Sequence, residues 1–166
     1  RRMREHRDDY AAASSQIEWS WARRQIDLIR QGEELLRVRA RAFEVRDRWM
    51  AANVKWILDH EPAGAKVVLW AHNGHVTAEP PRYFPGGTMG MHLRRIYGDA
   101  MRIFGFAFDR GSFRAGNDVY EALPAKPASF DGALAAAGLP LFMLDLRTAT
   151  GVARRWVESP LEHRSI

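Results

Sequence analysis

Apolar and polar positions alternate with two different periods along this chain, and the change falls near residue 60. Across residues 14–59, Ile17, Trp21, Leu28, Leu35 and Val38 recur at spacings compatible with one helical face. Gly32 weakens the middle of that stretch and is expected to separate two helices. A cleaner stripe follows, in which Val45, Trp49, Ala52 and Trp56 keep the i, i+4, i+7, i+11 order of a buried helix face. Pro62 and Gly64 end it.

Beyond residue 60 the apolar residues form short continuous runs instead. Residues 66–71 (KVVLWA), 101–108 (MRIFGFAF) and 141–146 (LFMLDL) each read as a strand, the first buried on both faces. Helices are predicted between them: residues 89–97 closed by Gly98, and about residues 130–137 with Ser129 as N-cap and Gly138 as C-cap. A last short helix over 151–157 ends before Pro160, and the Gly/Pro-rich stretch 111–127 has room for a small hairpin. Alternating strands and helices predict an α/β fold: a mostly parallel sheet flanked by helices, with a long helical segment at the amino-terminal side.

Composition narrows the class. The chain has 166 residues, 46% of them hydrophobic, which suits one globular domain with a real core. It has no cysteine, which excludes disulfides and thiolate metal sites and agrees with a cytoplasmic location. Its first ten residues are charged with no apolar run after them, so they do not read as a signal peptide. No stretch approaches the roughly 20 uninterrupted apolar residues of a membrane span.

The formal net charge of +5 raises the question of nucleic acid. Residues 1–60 hold 13 basic against 10 acidic side chains, and residues 61–166 hold 12 against 10. Acids stand beside bases, as in Glu33 and Glu34 before Arg37, or Asp47 between Arg46 and Arg48. Such mixtures are expected to be solvated helix faces, whereas a phosphate-tracking surface concentrates its excess on one stripe. No nucleic-acid partner is expected.

In open parallel sheets ligands gather at the carboxyl ends of the strands. The three runs end in His72-Asn73-Gly74-His75, in Asp109-Arg110-Gly111, and in Asp145 with Arg147. His72 and His75 are the sharpest feature, because two imidazoles three residues apart can share a cleft and Gly74 lets the chain bend between them. An imidazole there can accept a proton from water or donate to a developing oxyanion. The spacing also fits a structural pair capping a strand end, or two ligands of a zinc ion completed by Asp109, Asp145 or a residue elsewhere. Asp109-Arg110-Gly111 reads first as a turn, and Asp145 with Arg147 as a pair fixing the last loop. His6, His60, His92 and His163 read as surface residues. Arg46, Met50 and Asn53 share a helix face beside the Trp stripe, where Asn53 either anchors the loop carrying His72 or faces solvent.

Several of these residues together resemble the erythromycin esterase family. Trp70-Ala71-His72-Asn73-Gly74-His75-Val76 after Val67-Val68-Leu69 is similar to its signature segment, and residues 46–54 (RDRWMAANV) to its RDxxMAxN helix. Met89-Gly90 with Leu93-Arg94 and Tyr97-Gly98-Asp99, then Ile103 to Phe106 with Gly111-Ser112-Phe113, then Asp145-Leu146-Arg147 follow in the family's order. The likeness spans about residues 44–150.

The resemblance implies ester hydrolysis, of a macrolide lactone or related carboxylic ester, by water activated through histidine and glutamate. It implies no serine nucleophile, no metal and no other cofactor. His72 and His75 map onto its active-site histidines, and Arg46, Asn53 and Asn73 become substrate-binding or supporting residues. The partner is then a small-molecule ester, with no membrane involved. The family's general-base histidine and its acidic partners lie in an amino-terminal Gly-Glu…His-Gly segment absent from this sequence. With no initiator Met, residues 1–166 are therefore expected to be the carboxyl-terminal part of a single erythromycin-esterase-like domain, residues 1–60 its helical segment and 61–166 its strand/helix core. The general base is then expected upstream of Arg1. A metal- or haem-binding protein, or a non-catalytic domain lacking that base, are the alternative readings.

Overall fold

A computed structural model of the chain describes residues 2–79, 86–159 and 162. They fall into two compact units, residues 1–103 and 104–166.

The first unit is helical. Short helices α1 (Arg2–Glu5) and α2 (Arg7–Ala13) bury none of their residues. Helix α3 (Gln16–Arg37) starts where the Ser15 hydroxyl accepts from the Glu18 amide at 3.0 Å, satisfying a first-turn donor. It runs straight through Gly32, so the expected break there does not occur. An exposed glycine costs a helix only about 1 kcal/mol, too little to divide one of this length. The break comes instead at a tight turn over Arg39–Arg41, which leads into α4 (Ala42–Asp59).

Helix α4 is packed on two sides, and this places the site. The stripe read from sequence meets α3: the Trp49 indole donates to Glu34 at 2.8 Å, and Trp56 packs edge-on to Trp21 with centroids 4.7 Å apart. A second row, Asp47, Ala51, Val54 and Leu58, has the same spacing and faces the other way. Ala51 and Val54 join Met89 and Leu93 of α6 (Met89–Tyr97) in the buried core, with Met50, Leu58, Leu69 and Met101 packed around them. Helix α6 has the predicted limits. Thr88 caps it, its hydroxyl accepting from the Met91 amide at 3.1 Å, and Gly98 closes it at φ 50, where a side chain would be strained. Between them, α5 (Asn73–Val76) is a single turn beginning just after His72.

In the second unit, β1 (Gly111–Ala115) and β2 (Asp118–Ala122) form an antiparallel hairpin with Phe113 opposite Tyr120, their rings stacked at 5.6 Å. This is the hairpin expected in the Gly/Pro-rich stretch. Helix α7 (Phe130–Ala135) is capped by Ser129, which accepts from the Gly132 amide at 3.1 Å, and α8 (Gly151–Val157) has the predicted bounds. Trp156 of α8 stacks on Phe130 at 5.5 Å. Pro160 and His163 lie outside the described residues.

The α/β class with a mostly parallel sheet is not what the chain forms. Among the described residues the only sheet is the β1–β2 hairpin, and none of the runs 66–71, 101–108 or 141–146 belongs to it. Leu69, Ala71 and Met101 pack against the core from these runs, while other apolar side chains in them face solvent, with Val68 94%, Trp70 85% and Leu141 90% exposed. An apolar run shows that a segment is suited to a sheet; a ladder also needs a neighbouring strand within about 5 Å, which no local pattern specifies.

Candidate active site

The site forms where α4, α5 and the start of α6 converge. Asp47, in the second row of α4, is fully buried although Arg46 and Arg48 on either side of it are exposed. A buried carboxylate must have its oxygens satisfied, and both are. Oδ2 accepts from the Met89 amide at 2.9 Å, one of the unpaired donors of the first turn of α6. Oδ1 faces Nδ1 of His75 at 2.8 Å. The reading of Asp47 as part of a solvated charged face is therefore corrected.

His75 is held on all sides. Its side chain is only 15% exposed and its ring stacks on Phe43, with centroids 4.9 Å apart and planes 11° from parallel. The Arg46 guanidinium, lying over the other residue of that stack at 5.5 Å from the Phe43 centroid, reaches Nε2 through Nη2 at 2.6 Å. A carboxylate cannot donate and a guanidinium cannot accept, so the two contacts assign the ring. Nδ1 carries the proton and donates it to Asp47, and Nε2 is a bare lone pair that accepts from Arg46.

Packing of α5 on α6 fixes the height of this ring. The Thr88 hydroxyl donates to the Thr77 carbonyl at 2.6 Å. Gly90 presses against the same turn so closely that an added Cβ would lie 2.0 Å from the Val76 carbonyl oxygen.

The other sequence-derived candidates separate from this centre. His72 caps α5, its Nδ1 accepting from the Gly74 amide at 3.0 Å, and it is exposed. Asn73 opens α5 and is half-buried. Asn53 points to α3, in a reciprocal amide pair with Gln31 at 3.0 and 3.1 Å, and also accepts from Arg24. It lines a cleft of about 210 Å³ with Met50, Val54, Leu69, Ala71 and Met89, which does not include His72 or His75. Asp109 accepts from the Ala125 amide at 2.9 Å and pairs with Arg110, while Asp145 pairs with Arg147 at 2.6 Å, both local structural roles. His60 is exposed and stacks on Trp56 at 4.0 Å. His92 is half-buried, not fully at the surface: its Nε2 is buried with no hydrogen-bond partner among the described residues. Among the described residues no three histidines or carboxylates are grouped as metal ligands would be, and no helix is long and apolar enough to cross a membrane.

Sequence reasoning missed Asp47 and Phe43. The row of positions 47, 51, 54 and 58 was the available signal, an Asp at helical spacing with three apolar residues.

A buried carboxylate orienting an imidazole beside an arginine is chemically able to move a proton. The profile of the erythromycin esterase family matches residues 1–166, the whole chain, and the chain belongs to that family, by its name one of hydrolases. No solved structure matches the chain.

Proposed function

We propose that the chain carries the histidine centre of an ester hydrolase, in which His75 moves a proton between water and the leaving alcohol and Asp47 holds its tautomer. The observation that carries this reading is the Asp47–His75 bond with Nε2 left as the basic nitrogen. Water gives a proton to Nε2 as its oxygen attacks the ester carbonyl carbon, and the imidazolium so formed is stabilised by the buried carboxylate. Collapse of the tetrahedral intermediate breaks the bond to the alcohol oxygen, which takes the proton back from Nε2. The products are a carboxylic acid and an alcohol, with no covalent intermediate on a serine.

The fit with a carboxylic ester, a macrolide lactone included, rests on family membership. This role puts the proton acceptor on His75, not upstream of Arg1, and leaves His72 at the rim of the centre. The test is hydrolysis of a macrolide and of simple aryl and alkyl esters by the chain and by His75→Gln and His72→Gln. Replacing His75 should lower kcat by about 10²–10⁴-fold, the range of a positioned acid–base group, and replacing His72 should do much less. Equal rates for the parent and His75→Gln would refute the assignment.

A further inference from the structure

Arg46 obstructs the reaction just described. Its Nη2 occupies the Nε2 lone pair at 2.6 Å, the position a water molecule needs. Yet the hold is light: Arg46 is exposed, and among the described residues the contacts given for it are the Nε2 bond and the Phe43 ring, with no carboxylate. Arg48, by contrast, is tied to Glu34 at 2.6 Å, and Arg41 to Glu44 at 2.9 Å. A guanidinium whose partner is a neutral nitrogen gains from exchanging it for an anionic oxygen, because attraction between opposite charges then adds to the charge-assisted hydrogen bond. The Phe43 ring beneath it offers a surface along which the planar group can slide while keeping its cation–π contact.

Building on the hydrolase reading, we propose that Arg46 is an oxyanion clamp that doubles as a cap on the base. In the free protein it closes the Nε2 lone pair. When an ester enters, Arg46 transfers to its carbonyl oxygen and uncovers Nε2 for the water, and its hold on that oxygen strengthens as the oxygen gains negative charge. The ligand chemistry is a tetrahedral oxyanion held within reach of both Arg46 and His75. The groups facing His75 are Asp47 and Arg46 from α4, with the Met89 amide at the start of α6 behind Asp47; His72, on its own turn, is bonded back to Gly74.

The experiment follows the His75 ring nitrogens by NMR in the full chain with isotope-labelled histidine, assigned through His75→Gln. Methylphosphonate, a tetrahedral anion, is titrated at constant ionic strength. A saturable change at Nε2, absent in Arg46→Gln, is expected; thermal unfolding of that variant should match the parent, and Arg46→Lys should respond only weakly because it lacks the fork. No saturable change, or the same change in Arg46→Gln, overturns the clamp. Tighter binding of acetate than of methylphosphonate overturns the transition-state role. In parallel, Arg46→Gln should lose about 10²–10³-fold in kcat with KM little changed, whereas a purely structural cap would leave kcat intact or raise it. The NMR result does not depend on turnover: a methylphosphonate response without hydrolysis of any ester keeps the clamp and removes the hydrolase reading.

Discussion

Asp47 stands between two exposed arginines and is itself fully buried, because successive helix residues point about 100° apart. Its neighbours along the chain are therefore not its neighbours in space. Replacing it by Asn separates its two tasks. One amide oxygen can still accept from the Met89 amide, but the other position now presents N–H to Nδ1 of His75 and demands the opposite tautomer. Nε2 would then carry the proton and face the Arg46 donor. We expect Asp47→Asn to lose about 10²–10⁴-fold in kcat and to lose the Nδ1–H resonance of His75, with unfolding temperature less affected than activity. Asp47→Ala should be the less stable of the two, since it leaves the Met89 donor buried and unsatisfied at a cost of about 1–3 kcal/mol. An intact Nδ1–H resonance in Asp47→Asn would show that Asp47 does not set the tautomer.

Among the elements, the contact of α5 with α6 governs where His75 stands. Gly90→Ala tests it with opposing effects. Alanine improves an isolated helix by about 1 kcal/mol over glycine, but a Cβ 2.0 Å from the Val76 oxygen forces α5 and α6 apart. Such overpacking costs about 1–3 kcal/mol, and the obstructing atoms are backbone, which cannot swing aside. Overpacking should win. Chemical denaturation should show a lower midpoint, and the His75 resonances should move although residue 90 does not touch the ring. An increase in stability would mean that α5 yields easily.

The turn before α4 supplies a pH-dependent element. The hydrogen bond from Arg41, chiefly, holds the Glu44 carboxyl below its ordinary range, desolvation opposes this, and the Gly86 amide adds to the lowering. A carboxyl that titrates lower when folded contributes stability above its unfolded pKa and loses it as pH falls through the folded value. Below about pH 4, stability of the parent should therefore fall with acid more steeply than that of Glu44→Gln, measured by denaturation midpoints. Parallel pH curves would exclude the contribution.

For the whole molecule, the exposed apolar runs matter most. Val68, Trp70, Leu141 and Met143 present more of their surface to water than core-type residues usually do. A dye that fluoresces on exposed hydrophobic surface should bind the folded chain, and Val68→Lys with Leu141→Lys should weaken its signal without lowering the unfolding temperature, since neither side chain loses burial. A lower unfolding temperature in that double variant would show that these residues are packed in solution.

The sequence by itself determined the local elements that end on chemically specific residues. Helix α6 is closed by Gly98, and α7 is capped by Ser129 and followed by Gly138, because caps and left-handed turns depend on one or two side chains and on nearby hydrogen bonds. It also marked the turn with His72 and His75, and the family to which the chain belongs. Tertiary structure decided the rest. Whether residues 66–71 pair as a strand depends on a partner strand, which the segment does not contain. Which imidazole becomes the oriented one depends on α4 bringing Asp47, Phe43 and Arg46 to His75, about 30 residues away in sequence. His72, equal to it by spacing, is bonded through its side chain to its own turn. Burial, and hence the strength of a carboxylate–imidazole bond, is a property of that convergence and has no local sequence signal.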